Sequence, residues 1–213
     1  LAIPADGRQE QRQTNAMALS GMRPLLALAA AFSCIGLIGV VVIALLPTFL
    51  VEVHAVSLAA AGAATALVSL ASVPGSLVAG WLMRHGAGLR ALSLCSLVMP
   101  AAAVPAFLSD GSVGLGIGAA AMILCANGIV VSAMFAAVPH LAQRPSGVAL
   151  GNGLIAQLGS LGTLLGPPLF GAMTAQAGWL ANAGLILTFT LLGLALAWMA
   201  VRPAIAAEIE RAL

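Results

Sequence analysis

Long apolar stretches separated by short polar segments make up most of this chain. Charged residues fall between or outside these stretches, and none lies in their cores. A bilayer core about 30 Å thick needs roughly 20 apolar residues in a helix. The pattern predicts six membrane-spanning helices, of which the third is barely long enough, at residues 25–49, 58–82, 91–108, 115–136, 148–172 and 181–201.

Composition agrees with residence in a membrane. The chain is 62% hydrophobic and 7% charged, against roughly 25% charged residues in soluble domains, and its mean hydropathy is +1.11. A net charge of +2 is too small to indicate nucleic acid as a partner. We therefore expect an all-α integral membrane protein with a polar cytoplasmic arm (1–24), a six-helix transmembrane bundle (25–201) and a cytoplasmic tail (202–213).

The charges of the connections predict the orientation. All eight basic residues are arginines, and they fall in the N-terminal arm, the second and fourth connections and the C-terminal tail. The first and third connections carry Glu52 and Asp110, and the fifth carries no charge. The positive-inside rule therefore predicts that both termini lie in the cytoplasm. We expect a multi-pass protein of the plasma membrane, here the bacterial inner membrane.

Small residues recur at three- to seven-residue spacing in two of the predicted helices. They are Gly62, Ala66, Ser69, Ser76 and Gly80 in the second helix and Gly159, Gly162 and Gly166 in the fifth. Such rows let backbones approach closely, which membrane helices need because their association relies on packing. We predict tight helix packing on these faces, which is also compatible with sliding during a transport cycle.

Gly80, Arg84, Gly86 and Arg90 lie at and after the cytoplasmic end of the second predicted helix. They resemble the cytoplasmic loop motif of the major facilitator superfamily of transporters, which reads Gly, three residues, Asp, a basic residue, any residue, Gly and further basic residues. Gly80, a basic residue and a nearby glycine are kept and Arg90 stands as a late basic position, whereas the Asp is missing, with Arg84 or a deletion in its place.

The second segment, 162–171, resembles the fifth-helix signature Gly-x-x-x-Gly-Pro-x-x-Gly-Gly of the same superfamily. Gly162, Gly166, Pro167 and Gly171 match, and Phe170 stands at the penultimate glycine. With Gly159 one turn earlier, these residues form the predicted helix-packing motif. The resemblance covers roughly residues 25–201.

The resemblance implies both an architecture and an activity. The superfamily has two six-helix halves around a central cavity, so this chain is expected to be one half of such a fold. Its first residue, Leu1, and a polar arm similar to a central loop favour the C-terminal half, with the N-terminal six-helix half as partner. The implied function is secondary active transport of a small solute across the bilayer by alternating access, as a permease or an exporter. A stand-alone six-helix scaffold or accessory protein without transport is the alternative.

Three polar side chains are candidates for contact with the solute. Ser33, Asn127 and Gln157 lie about 12–20 Å into their predicted helices, near the midplane where transporters bind substrate. The resemblance implies that helices one, two, four and five line the cavity. For Asn127 and Gln157, a hydrogen bond between helices is the other interpretation. For Ser33 the favoured interpretation is a packing residue, because a hydroxyl can bond its own helix backbone.

The predicted helices contain no carboxylate or histidine to relay protons, and no nucleophile–histidine arrangement or phosphate-binding loop. We therefore expect no enzyme activity, no cofactor and no metal, and any proton relay should lie in the other half. Cys34, Cys95 and Cys125 are expected to be apolar packing residues, because their spacing matches no metal site.

Overall fold

The computed structural model is a bundle of α-helices, and the residues that it describes include no β-strand. It describes the backbone of residues 5–86, 89–142 and 145–212, and the side chains of residues 22–86, 93–142 and 147–202. The helices are α1 (Ala5–His54), α2 (Leu58–Ser69), α3 (Ser72–Arg84), α4 (Leu89–Ala106), α5 (Val113–Leu141), α6 (Pro145–Ala177) and α7 (Ala181–Ala212).

Helix length and composition fit a multi-pass membrane protein. Among the residues that the structure describes, five stretches are long and apolar enough to cross a bilayer, namely Met22–His54, Leu58–Arg84, Val113–Leu141, Gly147–Ala177 and Ala181–Arg202. They correspond to every predicted span except the third. That span is α4, whose described part, Ser93–Ala106, is a shorter apolar helix. The helical membrane bundle is therefore supported, whereas the crossing by α4, and with it the count of six, stays a prediction.

Helix α1 extends beyond the predicted first span at both ends. It begins at Ala5, within the expected arm, and ends at His54, so Glu52 and His54 lie in its last turn rather than in a connection. The Ala, Arg, Gln and Glu residues that precede Pro24 favour helix, which explains the extension. Helix α7 likewise continues to Ala212 through the predicted tail.

The second span consists of two helices, where the hydrophobic pattern predicts one. Between α2 and α3, the amides of Leu70, Ala71 and Val73 donate to carbonyls three residues back, at 3.0–3.2 Å. Pro74 follows and has no N–H to donate to the carbonyl four residues before it. The chain therefore tightens locally into three-residue turns ahead of the proline.

Helices α1 and α5 form the centre of the bundle. In their most apolar 18-residue windows, 56% of α1 and 50% of α5 is buried inside the bundle. The corresponding shares for the second, fifth and sixth predicted spans are 17%, 22% and 28%. Helix α1 packs against α6, α7, α5 and α2, and α5 packs against α3 and α4. The peripheral helices are thus held mainly by one inner pair and make fewer contacts with one another.

Candidate functional site

The face of α6 that meets α1 is built from glycines. A Cβ atom at Gly162 would lie 2.6 Å from the Ser33 hydroxyl oxygen and 2.7 Å from its carbonyl oxygen. A Cβ at Gly159 would lie 2.5 Å from the Phe32 ring, and one at Gly166 would lie 3.0 Å from the nearest methyl group of α1. These three glycines, the inner face of α6, leave the space that α1 occupies.

The rest of the predicted helix-packing motif lies off this contact. A Cβ at Gly171 would have no other atom within 4 Å, and Pro167 is half-buried. Ser33 lies at the contact itself, half-buried against Gly162. Its position suits the packing interpretation of this serine.

A second close crossing joins α3 to α5, outside the small-residue rows that the sequence suggested. A Cβ at Gly75 would overlap the carbonyl oxygen of Cys125, and one at Gly128 would overlap the carbonyl oxygen of Ser72. The two backbones therefore touch at two points, about one turn apart on each helix. The sequence did offer one signal for this contact. Gly75 and Gly128 each lie in the middle of an apolar stretch, where a glycine is usually kept because a neighbour packs closely against it.

Asn127 joins three helices inside the bundle. Its Nδ2 donates to the Ile35 carbonyl of α1 at 2.7 Å and lies 3.8 Å from the Met99 sulfur of α4. Its Oδ1 fits against Gly39, where a Cβ would lie 2.7 Å away. This amide makes the interhelical hydrogen bond that was one of its two interpretations.

Gln157 is exposed on the side of α6 that faces away from α1. It precedes Gly159 by two residues, which places it about 200° around the helix from the inner face. Gly153, Ser160 and Leu164 share this exposed side, and a Cβ at Gly153 would meet no atom within 4 Å. We call Gly153, Gln157, Ser160 and Leu164 the free face of α6. The Ser160 hydroxyl is satisfied within the helix, by the Ala156 carbonyl at 2.8 Å.

The small-residue row of the second span is exposed as well. Gly62 and Gly80 would meet no atom within 4 Å if each carried a Cβ, and Ala66 and Ser76 are exposed. Ser69 and Ser76 donate to carbonyls of their own segment, at 2.7 and 3.1 Å. Ser69 is half-buried, whereas the other four residues of this row leave an open surface within the described part of the chain, and Gly75 makes the close contact of the second span instead.

The predicted cytoplasmic loop motif forms the end of α3. Gly86 has a φ of +69°, a left-handed conformation that favours glycine, and its amide donates to the Met83 carbonyl at 3.2 Å. Arg84 is exposed, and His85 lies against the Trp81 ring with its Nδ1 2.8 Å from the Trp81 carbonyl. The side chain of Arg90 lies outside the described residues. The motif thus forms a helix end that presents Arg84 to its surroundings.

The three candidate solute contacts do not converge on one site within this chain. Ser33 lies between α1 and α6, Asn127 lies among α1, α4 and α5, and Gln157 lies on the free face of α6. A groove of about 510 Å³ runs between α4 and α5, and none of the three residues lines it. Its lining is apolar and includes Ala101, Pro105, Gly114, Gly118 and Met122.

No group of three or more His, Cys, Asp or Glu side chains that could hold a metal ion occurs among the described residues. Compared with protein-family models, with curated proteins and with solved structures, the chain matches none.

Proposed function

We propose that this chain is one six-helix half of a secondary transporter, similar to the major facilitator superfamily, that moves a small uncharged solute by alternating access. The observation that carries the proposal is the exposed amide of Gln157. It lies about 15 Å along α6 from Gly147, at a depth where the helix crosses the hydrocarbon.

An amide at that depth needs a polar partner. Lipid tails offer neither donors nor acceptors, so polar side chains within spans face the bundle interior, another helix or a water-filled cavity. Gln157 faces away from α1, on the free face of α6. We therefore infer that this face borders an aqueous path or a second helical unit rather than lipid.

The free row of the second span supports a second helical unit. Gly62, Ala66, Ser76 and Gly80 would allow another helix to approach closely, and such approach is how helices associate in bilayers. The second and fifth spans would then flank a cavity between two units, with α1 and α5 as the rigid centre of this one. The N-terminal six-helix half expected from the resemblance is the proposed second unit.

The solute class follows from the charges. The described membrane-crossing stretches hold their charged residues only near their ends, so this half alone would not neutralise a strongly charged solute. A neutral solute with hydroxyl or amide groups suits the donor and acceptor of Gln157. Both termini of the chain are proposed to be cytoplasmic, as the arginine distribution requires.

A thermal-shift screen of this chain, purified together with its proposed second unit, tests the proposal. The probes are uncharged polyols, sugars and amides, because a ligand that binds only the folded state raises the melting temperature. We expect a solute that stabilises the parent and the Ser160→Ala control, whereas Gln157→Ala loses that stabilisation and melts like the parent without solute. If Gln157→Ala instead lowers the melting temperature and keeps the solute response, the amide only joins helices. If no solute stabilises the parent, the scaffold alternative is favoured.

A further inference from the structure

Four rings meet where three parts of the chain come together at one end of the bundle. Phe49 and His54 lie in the last two turns of α1, Phe107 follows α4, and Trp179 lies between α6 and α7. Phe49 is central, with ring centroids 5.1 Å from Trp179, 5.2 Å from His54 and 5.6 Å from Phe107. Phe107 also stacks on Trp179 at 6.2 Å and 10°. We call these residues the aromatic cluster.

The cluster ties these chain segments together through apolar contacts. Phe49 and Phe107 are fully buried, and edge-to-face ring pairs of this kind add stability beyond the area they bury. Under the proposed orientation this is the outer end of the bundle. Loosening the cluster would therefore free the outer ends of α1, α4 and α6 from one another.

His54 is the titratable member of the cluster. Its ring meets Phe49 edge to face at 85°, and its Nε2 is buried without a hydrogen-bond partner. A neutral imidazole can leave one nitrogen without a proton, so this arrangement suits the neutral ring. A proton on Nε2 would create a buried cationic N–H with no acceptor, which is unfavourable in such surroundings.

The backbone after His54 limits how the ring could adapt. Ala55 has a φ of +52°, and the Val56 amide donates to the Leu50 carbonyl at 3.1 Å. This is the turn that often ends helices with glycine at the left-handed position. Alanine is strained there, and residues in such conformations persist where their surroundings hold them. The His54 ring can therefore leave the cluster only by rotating its side chain or by loosening this turn.

The charged groups near the cluster are few. Glu52 lies two residues before His54 on α1, and Asp110 lies three residues after Phe107. Both carboxylates are exposed, and the connection that carries Trp179 has no titratable group. Neither carboxylate hydrogen-bonds Nε2 in this structure. The His54 side chain is half-buried, and a proton on Nε2 would reach water or a carboxylate only if that nitrogen moved out of the cluster.

We propose that the aromatic cluster is a proton-sensitive closure of this end of the bundle, shut while His54 is neutral and released when it is protonated. Because the closed arrangement leaves Nε2 without a partner, the open state is the one that accepts the extra proton, and acidification is expected to favour it. The proposal concerns the bundle's own conformation and does not rest on transport.

The test uses Trp179 as its reporter. Trp81 and Trp198 are replaced by Phe in the full chain, reconstituted in lipid nanodiscs, and acrylamide quenching of Trp179 is followed from pH 8 to pH 5. We expect quenching to increase and emission to shift to the red as pH falls. His54→Phe should abolish both changes and keep Trp179 protected at pH 5.

Several variants separate His54 from other titrating groups. His85→Gln, His140→Gln, Glu52→Gln and Asp110→Asn should each leave a pH-dependent change in quenching. His54→Lys, which carries its charge throughout, should show high quenching already at pH 8. If His54→Phe does not fold, His54→Leu takes its place. A pH response that persists without His54, or a parent whose quenching does not change with pH, would overturn the proposal.

Discussion

The two faces of α6 carry similar residues in opposite surroundings. On the inner face, Gly159 and Gly162 leave no room for a Cβ, because atoms of α1 lie 2.5–2.7 Å from where it would stand. On the free face, a Cβ at Gly153 would meet nothing within 4 Å, and Gln157 is exposed beside it. The residue types alone therefore do not tell whether a face of the helix packs against another helix or is exposed.

The second span repeats this contrast on α3. Gly75 lies against the α5 backbone, whereas Gly80, five residues later, has open space around it. Small residues in a membrane helix therefore mark surfaces that allow another helix to approach closely. They do not determine which helix, if any, makes that contact. Substitution of a glycine that lies against another helix should destabilise the protein. Substitution of a glycine on an open surface should be tolerated unless another unit covers that surface.

The largest expected effect is at the α3–α5 crossing. Gly75→Val would force a side chain into the Cys125 carbonyl, and backbone atoms cannot rotate aside as a side chain does. We expect a loss above the ~1–3 kcal/mol typical of overpacking, seen as a collapse in the yield of monodisperse protein in detergent. Gly80→Val on the same helix is the matched control and should purify like the parent. Similar yields for the two variants would contradict the direct backbone contact.

A smaller effect is expected at the inner face of α6. Gly162→Leu must displace the Ser33 hydroxyl and push α6 away from α1, at a cost of about 1–3 kcal/mol. Thermal unfolding followed by tryptophan fluorescence should show a lower melting temperature. Gly153→Leu adds the same side chain to the free face and should melt like the parent in the isolated chain. A lower melting temperature for Gly153→Leu would show that the free face is covered.

The smallest effect compares the two amides. Asn127→Ala removes the bond to the Ile35 carbonyl, and hydrogen bonds between membrane helices average about 0.6 kcal/mol and reach about 1.7. Its melting temperature should fall slightly, while Gln157→Ala, which has no partner in the described part of the chain, should leave it unchanged. The same unfolding assay on both variants decides. The reverse order would exchange the roles assigned to the two residues.

The location of the spans was predictable because hydrocarbon requires long uncharged helices. The five stretches long enough to cross a bilayer all match predicted spans, and α4 matches the one judged barely long enough. The break before Pro74 was missed because the hydrophobic pattern continues through it. The hydrophobic pattern does not predict the N-terminal extension of α1. The residues before Pro24 are polar, and a polar stretch ahead of a membrane span predicts an arm rather than part of the helix.

Which face of each helix turns inward was much harder to predict. In a soluble bundle the buried stripe is apolar and the opposite face is polar. Here both faces are apolar, since lipid accepts the same side chains as the core. Thus Leu191 is exposed and Leu46 is fully buried, with nothing in either residue to mark the difference. The glycine contacts and the bond from Asn127 to Ile35 depend on which helices are neighbours, which the local sequence does not state.

The break in the second span divides its attachments. Helix α3 is fastened to α5 through Gly75, whereas α2 lies against α1 as well as α5. Between them, at Leu70 and Ala71, the regular pattern of α-helical hydrogen bonds is interrupted. Fewer regular backbone hydrogen bonds therefore hold α2 and α3 at one fixed angle than would hold a continuous helix. Because of this break, a change in the distance between α1 and α5 at one membrane surface would not require the same change at the other surface.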